Sequence, residues 1–386
     1  MSPRFSARTA LLALPILAMA ACAEAEAQQA EGQEGGAATG AATSTPFTPT
    51  ELARFDEPWA MTFLPDGSML VTEQAGTLRH WKADGSGHEV GGVPAVDYGG
   101  QGGLGDIILH PDFAENATLY LSYVEAGEDD TRGAAVMRAR FTKVDGVHAL
   151  TDKDIIWRQA PKVTGRGHFG HRLAFGPDGM LYISSGERQK FEPAQDMQMN
   201  LGKIIRLTED GDVPPDNPFA DQGGVTAEIW SFGHRNPLGI AFAADGSLWE
   251  HEMGPKGGDE LNLIVKGDNY GYPRVSNGDH YDGRDIPDHS AGDGYNAPEA
   301  DWTPVISPAG LVIVSGDAYP DWQGTGLIGG LSSKAIVQVA LDDDPREIAR
   351  YDMGERIREI EESADGTIYV LEDGENGRLL ALTPKG

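Results

Sequence analysis

The chain has 386 residues, enough for one large domain or two ordinary ones, and 40% of them are hydrophobic, which suffices for a globular core. Its formal charge is −30 at pH 7, from 30 Lys and Arg against 60 Asp and Glu, which argues against a nucleic-acid-binding surface. The 51 glycines and 24 prolines indicate many tight turns and hence many short strands, and no Gly-x-y period of the collagen type exists.

The first 22 residues, MSPRFSARTALLALPILAMAAC, are typical of an export signal, because two arginines precede a short apolar run. The run is too short to span a membrane. Two interpretations of its end stay open. Either a plain signal peptide is cut after an A-x-A site, or Cys22, the only cysteine, becomes a lipidated first residue. We therefore expect an exported, periplasmic protein, either free or anchored to the membrane as a lipoprotein.

The next segment, residues 23–49, begins with a low-complexity run of Ala, Glu, Gly and Gln. Such a composition cannot bury a core, so we predict a disordered tether over 23–49. A single folded domain is then predicted over 50–386.

One strand–turn–strand unit recurs along this domain. Its clear copies are AMTFLPDGSMLVTEQ from Ala60, RLAFGPDGMLYISSGE from Arg172, GIAFAADGSLWEHEMG from Gly239 and REIEESADGTIYVLEDG from Arg358. Looser copies begin at Asp106 and Leu311. Asp-Gly suits the positive φ that tight hairpins require. Six units at intervals of roughly 50–65 residues predict an all-β, six-bladed β-propeller with four-stranded antiparallel blades. Two stacked β-sandwiches are the alternative, but they do not explain the regular interval.

Polar loops between these units are the candidate site, because propeller loops from distant blades converge at one end of the central channel. The loop YGGQGGLGDI (98–107) projects Gln101 from a glycine-rich backbone that a flat ligand could approach. In GRGHFGHRLAF (165–175), His168 and His171 precede a strand. A loop histidine is the best general base at neutral pH, whereas the alternative for each is a solvated or packing residue.

Two later loops carry charge and oxygen ligands. GHRNP (233–237) presents Arg235 and Asn236 from one rigid turn, and an arginine fork suits anionic oxygens. In the segment 251–273, Gly254 and Pro255 present carbonyls shortly before Asp259 and Glu260. Calcium often binds carbonyl and carboxylate oxygens together, although acid pairs in loops are usually just solvated.

Three further cations lie near the C-terminus. Lys334 starts a predicted strand, and Arg356 and Arg358 alternate, which places both side chains on one strand face. In so acidic a protein, cations directed at one place suggest an anionic ligand. Each could equally form a surface ion pair of little energetic value.

Taken together, the motifs resemble those of the soluble quinoprotein sugar dehydrogenases, and in particular their bacterial aldose sugar dehydrogenase branch. The similar segments, in order, are GQGGLGDIILHPDF, GHFGHRLAFGPDG, NLGKIIRLTEDGDVPPDNPF, GHRNPLGIAF, GPKGGDELNLIVKGDNYGYP and RIREI. The resemblance spans roughly residues 50–384. It implies a six-bladed propeller and an oxidoreductase that acts on CH–OH donors with pyrroloquinoline quinone (PQQ) and Ca²⁺.

The resemblance also implies roles for individual residues. His168 matches the catalytic base and Arg235 a catalytic cation. The residues matching those that hold the quinone are Gln101, His168, Arg235, Asn236, Lys334, Arg356 and Arg358. Gly254 and Pro255 match the pair whose backbone carbonyls bind the active-site calcium, whereas Asp259 and Glu260 match acids that support the loop or bind a further calcium.

The implied reaction is oxidation of an aldose at C1 to the lactone, with hydride transfer to the quinone and electrons passing to an external acceptor such as a periplasmic cytochrome. No aromatic residue clearly matches those that flank the sugar in glucose-specific relatives; Trp302, Tyr319 and Trp322 are candidates. The large insertions of dimeric relatives are missing, which favours a monomer. The alternatives are an inactive ligand-binding propeller and a calcium-dependent lactonase on the same fold.

Overall fold

Six four-stranded antiparallel sheets make up the computed structural model, which describes residues 45–385. The innermost strand of each sheet contacts the innermost strands of the two neighbouring sheets, so the sheets form a closed ring. The predicted six-bladed propeller is therefore confirmed. The predicted export signal, Cys22 and most of the predicted tether lie outside the described residues. No helix within residues 45–385 is both long and apolar enough to cross a membrane.

The strands follow the chain order with one exception. The first blade contains β2 Pro58–Phe63, β3 Met69–Glu73, β4 Thr77–Trp81 and β5 Gly87–Glu89, and the second contains β6 Leu104–Leu109, β7 Thr118–Ala126, β8 Arg132–Val144 and β9 Val147–Arg158. The third contains β10 Gly170–Phe175, β11 Leu181–Ser185, β12 Lys203–Leu207 and β13 Ile229–Phe232, and the fourth contains β14 Pro237–Phe242, β15 Leu248–Glu252, β16 Asp259–Ile264 and β17 Ala300–Trp302. The fifth contains β18 Pro308–Ile313, β19 Gly326–Gly330, β20 Ala335–Ala340 and β21 Arg346–Asp352. The sixth combines β22 Ile357–Glu362, β23 Ile368–Glu372 and β24 Gly377–Pro384 with β1 Phe47–Phe55. Within residues 45–385, helical structure is limited to α1 Phe113–Asn116 and 3₁₀ turns at Glu192–Gln195, Ala220–Gln222, Gly224–Glu228 and Pro320–Trp322.

The Asp-Gly turns join the first and second strands of four blades, as the repeat predicts. In the first blade, Gly67 has φ +79°, and the Asp66 carboxylate accepts the backbone N–H of Ser68 at 3.0 Å. The same aspartate-to-backbone bond recurs two residues after Asp178, Asp245 and Asp365. The aspartate side chain thus stabilises the turn, and the following glycine adopts the positive φ that the turn requires.

The sixth blade is closed by the N-terminal strand. β1 pairs antiparallel with β24, from Phe47 opposite Pro384 to Phe55 opposite Gly377. The strand begins before the predicted domain start at residue 50, because 47–49 already belong to it. The pattern FTPTELARF hides the strand from sequence reasoning, since it contains a proline and is exposed over most of its length.

Phe47 anchors the closing strand, and its replacement tests the closure. The buried ring makes edge-to-face contacts with Trp322, at 6.1 Å between centroids, and with Tyr351, at 5.6 Å. Phe47→Leu keeps an apolar side chain but loses both aromatic pairs, so we expect a loss of about 1–2 kcal/mol in the free energy of unfolding. The exposed Leu52 on the same strand is the control, and Leu52→Ala should cost less than about 0.5 kcal/mol. Urea denaturation of both variants measures the difference, and equal losses would contradict the anchor.

A buried arginine ties the inner strands together across the channel. Arg172 on β10 pairs with Glu359 on β22 at 2.5 Å and with Asp106 on β6 at 3.5 Å. Its Nε donates to the Leu238 carbonyl on β14 at 2.8 Å, and its guanidinium lies 4.1 Å from the ring centroid of Trp59 on β2. One side chain therefore contacts four of the other five blades, and apolar clusters between adjacent sheets form the remaining core.

Candidate functional site

The loops that carry the predicted site residues open at one rim of the ring. Inner strands β6, β10, β14 and β22 begin at this rim, directly after the segments that contain Gln101, His168, Arg235 and Arg356. The antiparallel second strands return to the same rim, so the β15–β16 and β19–β20 connections open there as well. The topology thus brings together segments that are more than 250 residues apart in the sequence.

His168 is held in place by contacts on two sides. Its backbone N–H donates to the Gln101 side-chain oxygen at 2.7 Å, and its Nδ1 lies 2.5 Å from the Glu187 carboxylate. With φ at +51°, the residue occupies the left-handed region, which few non-glycine residues adopt without such support. The bond at Nδ1 leaves Nε2 as the ring nitrogen that can accept a proton.

Glu187 is the functional residue that sequence reasoning missed. It is fully buried after β11, and its carboxylate accepts the backbone N–H groups of Gln189, Lys190 and Phe191 at 2.9, 2.5 and 2.6 Å. Burial raises its pKa, but the His168 hydrogen bond and the charge of Arg235 outweigh this and leave the pKa low. The carboxylate is therefore a fixed anion behind the imidazole. The only sequence signal was an acid directly after the strand LYISS, within 20 residues of the histidine.

The electrostatic surroundings favour a neutral His168. Burial, and then the positive charge of Arg235, lowers the pKa of His168, while the bond to Glu187 raises it only in part. A neutral imidazole oriented by a carboxylate is the form that can take a proton from a substrate hydroxyl.

Arg235 and Asn236 each present a buried donor that no group among the described residues satisfies. Arg235 donates through one terminal nitrogen to the carbonyls of Met253 and Gly254, at 2.8 and 2.7 Å. Within residues 45–385, its Nε and the side-chain nitrogen of Asn236 have no hydrogen-bond partner. An unsatisfied buried donor costs about 1–3 kcal/mol, so both atoms fit a ligand that supplies acceptors. His234 in the same loop instead lies under the site, 3.3 Å from Glu252.

The β15–β16 loop presents two backbone carbonyls beside Arg235. The Gly254 carbonyl accepts a hydrogen bond from Arg235 at 2.7 Å, and the Pro255 carbonyl accepts no hydrogen bond from the described part of the chain. Asp259 supports this loop, because its carboxylate accepts the N–H groups of Gly254, Ile306 and Ser307 at 2.9, 2.8 and 2.7 Å. Its oxygens are thus committed to backbone. The two carbonyls fit a hard cation, whereas Asp259 positions them.

Glu260 belongs to a separate buried cluster below the loop. It faces Glu252 across the β15–β16 pair, beside Glu250 and Asn262. Burial, and then the nearby Glu252, raises the pKa of both Glu250 and Glu260. Among the described residues, one oxygen of Glu250 and the Asn262 side-chain oxygen lack a hydrogen-bond partner. Unpaired hard oxygens among crowded carboxylates fit a divalent cation. Glu260 therefore belongs to a cluster that fits an ion, whereas the Asp259 carboxylate is already bonded to backbone N–H groups.

The C-terminal cations behave differently from one another. Arg356 and Arg358 both bind Asp373, at 2.7 and 2.8 Å. An ion pair was the alternative for each arginine, but the sequence did not identify Asp373 as the partner. Burial raises the pKa of Asp373, but the two arginines outweigh it and lower that pKa. Lys334, in the β19–β20 loop, is exposed and its side chain makes no hydrogen bond within residues 45–385. Two arginines sharing one acid, with a free lysine nearby on the rim, retain net positive charge for an anionic ligand.

The comparisons with known proteins decide the family. Residues 55–381 match the family model described as "Glucose / Sorbosone dehydrogenase". The chain belongs to this family. It is 41% identical over 341 residues to "Aldose sugar dehydrogenase YliI" of Escherichia coli (strain K12), across 86% of this chain and 91% of that protein.

Two solved structures agree with the glucose/sorbosone dehydrogenase assignment. The apo-form of the soluble aldose sugar dehydrogenase from Escherichia coli has a TM-score of 0.84 and 40% identity, and covers 88% of this chain and 100% of its own. The PQQ-bound form of aldose sugar dehydrogenase from Streptomyces coelicolor has a TM-score of 0.72 and 27% identity, and covers 89% of this chain and 100% of its own.

The aromatic residues beside the site of this dehydrogenase were also missed from the sequence. The guanidinium of Arg235 lies 5.9 Å from the ring centroids of both Tyr272 and Tyr281. Phe191 extends this wall, because its ring is 6.5 Å from that of Tyr272. The sequence candidates are core residues instead. Tyr319 and Trp322 stack on each other beneath β1, and Trp302 donates its indole N–H to Glu347.

His171 is a packing residue. Its ring stacks on Trp59 at 4.8 Å, and its Nδ1 bonds to the Ser122 hydroxyl at 2.8 Å. Burial, followed by the charge of Arg172, lowers its pKa to about 3. Of the two histidines in the loop motif, only His168 is therefore placed for acid–base chemistry.

Proposed function

We propose that this protein oxidises aldose sugars at C1 to the corresponding lactones, with PQQ and Ca²⁺ as cofactors. The observation that carries the proposal is the buried His168–Glu187 pair beside the unsatisfied donors of Arg235 and Asn236. The names of the relatives support the substrate class, and the PQQ-bound Streptomyces structure supports the cofactor.

The residues of the site would have different roles in the reaction. His168 Nε2 would take the proton of the C1 hydroxyl, with Glu187 holding the ring and stabilising the imidazolium that forms. Arg235 would place fixed positive charge where electron density accumulates during the oxidation. When bound, PQQ supplies the two-electron acceptor for the C1 hydride.

The remaining polar residues would hold the cofactors. Lys334, Arg356 and Arg358 would neutralise PQQ carboxylates, and Gln101 and Asn236 would donate or accept hydrogen bonds around the ring system. The carbonyls of Gly254 and Pro255 would bind the active-site calcium, and the cluster around Glu260 would bind a second one. Export to the periplasm, a lipid anchor at Cys22, an external electron acceptor and a monomeric state stay predictions.

The lactonase alternative is disfavoured by the channel. That reaction requires a metal held there by free carboxylates, whereas Arg172 pairs with both Asp106 and Glu359. A purely ligand-binding propeller would not need the oriented His168–Glu187 pair.

Reconstitution of the apo-protein tests the proposal. Dye reduction with a panel of aldoses should require both PQQ and Ca²⁺, and excess EGTA added before PQQ should abolish it, because the carbonyl pair cannot bind the anion without its cation. PQQ binding without sugar-dependent dye reduction would indicate a binding module. Lactone hydrolysis without PQQ would indicate the lactonase and overturn the proposal.

A further inference from the structure

Three histidines meet at the outer edge of the first two blades, away from the site described above. His80 lies on β4, His88 directly opposite it on the edge strand β5, and His148 on β9 of the second blade. One ring nitrogen of each lies within 4.8 Å of those of the other two. β4 ends, and β9 begins, at the rim opposite the one that carries His168, so the two sites are separate.

The three rings pack closely against one another. His88 and His148 are stacked, with centroids 5.1 Å apart, and His148 also stacks on Phe141 at 4.5 Å. His80 meets His88 and His148 edge-on, with centroids 4.9 and 4.7 Å apart. His88 Nε2 and His148 Nδ1 share a hydrogen bond of 3.0 Å, which a bound ion would replace. Two nitrogens bound at about 2.0–2.1 Å to one tetrahedral ion are about 3.3 Å apart, so small side-chain rotations would complete the site.

A second, independent observation is the state of His80. Its Nε2 bonds to the Ser68 hydroxyl at 2.8 Å, and that hydroxyl bonds to the Asp66 carboxylate at 2.5 Å. Its other nitrogen, Nδ1, is buried and has no hydrogen-bond partner among the described residues. Metal-binding histidines characteristically donate their second N–H to such a partner, which fixes the tautomer and leaves a lone pair for the metal.

We propose that His80, His88 and His148 form a binding site for a first-row transition-metal dication of the Zn²⁺ type, with solvent in the fourth position. Imidazole nitrogens suit Zn²⁺, Cu²⁺ and Ni²⁺ and not Ca²⁺, so the ion differs from that proposed for the catalytic rim. The site joins the blades where the Gly91 backbone N–H already donates to the His148 carbonyl at 3.0 Å. A bound ion would therefore cross-link the edge strand β5 to the second blade.

Calorimetric titration of tag-free, calcium-loaded protein with Zn²⁺ tests the site. The wild type should bind one ion per chain, with a rise in melting temperature. His88→Ala and His148→Ala should each weaken binding at least tenfold and remove that rise. Ser68→Ala should weaken it by about tenfold through the loss of the His80 partner. His110→Ala is the matched control, because that buried histidine bonds Glu209 elsewhere and should leave binding unchanged.

Co²⁺ reports the ligands directly. Visible absorption bands of a four-coordinate Co²⁺ centre should form in the wild type and His110→Ala, and should be lost in His88→Ala. Since His88 is partly exposed, its replacement should leave the fold intact, which circular dichroism checks. Absence of a one-to-one Zn²⁺ complex in the wild type, or unchanged binding in both His88→Ala and His148→Ala, would overturn the proposal.

Discussion

Replacing His168 with alanine is expected to lower kcat for sugar oxidation by about 10²–10⁴-fold, because the variant loses the buried imidazole that we propose as acceptor of the C1 hydroxyl proton. Among the described residues, the bond to Glu187 is the one hydrogen bond that this side chain makes. The measurement is dye reduction at saturating PQQ, Ca²⁺ and sugar. His110→Ala, at the opposite rim, should retain near-normal kcat. Retention of activity within tenfold by His168→Ala would contradict the assignment of the base.

Replacing Glu187 with glutamine distinguishes an effect of Glu187 on His168 from a general loss of structure. Glu187 raises the pKa of His168 against the effects of burial and Arg235, so its removal should lower that pKa further. Because activity requires the neutral imidazole, the acidic limb of the kcat/KM profile should move to lower pH while the maximal rate falls. A reduced rate with an unmoved limb would indicate a structural role alone.

Replacing Arg172 with methionine is expected to cost about 3–5 kcal/mol in the free energy of unfolding. The variant keeps much of the side-chain volume over Trp59 but leaves Asp106 and Glu359 buried without their cation. The control is Arg346→Met, because Arg346 pairs with Asp342 and Asp344 on the surface and should contribute only about 0–1 kcal/mol. Urea denaturation of both variants provides the comparison.

The loss at Arg172 should depend on pH. Burial raises the pKa of Glu359 from 4.5 to about 7 even though Arg172 opposes the shift, so removing Arg172 should raise it further. A carboxyl with a raised pKa in the folded state contributes stability below its unfolded pKa and loses it as the pH rises through the folded value. Arg172→Met should therefore lose more stability at about pH 8 than at about pH 5. Equal losses at both values would contradict a buried-charge cost.

The fold was predictable because its repeat is local. Each Asp-Gly hairpin contains its own turn and its own apolar strands, so Gly67 or Gly179 identifies a blade without reference to the rest of the chain. The closing strand was not predictable in this way. Its partner β24 is far away in the sequence, and Phe47 alone carries the apolar pattern at its start.

The candidate site was predictable where one motif carries both the residue and its loop, as for His168, Arg235 and Asn236. Residues that act by pairing were missed, because nothing local in the sequence connects Glu187 with His168 or Asp373 with Arg356. Large aromatics were assigned to the sugar from their size alone, and Trp322 proved to be core. The cluster of His80, His88 and His148 was missed as well, because its residues come from two different blades.

Because β1 completes the sixth blade, the last step of folding has to wait until the last strands of the chain have been synthesised. A growing chain that has not yet produced β24 leaves β1 without a partner and the first and last completed blades with bare faces. Ring closure is thus the final event, and it needs nearly the whole polypeptide. Until then, exposed strand edges would favour pairing with other nascent chains, so slow or truncated translation should produce aggregates instead of partial propellers.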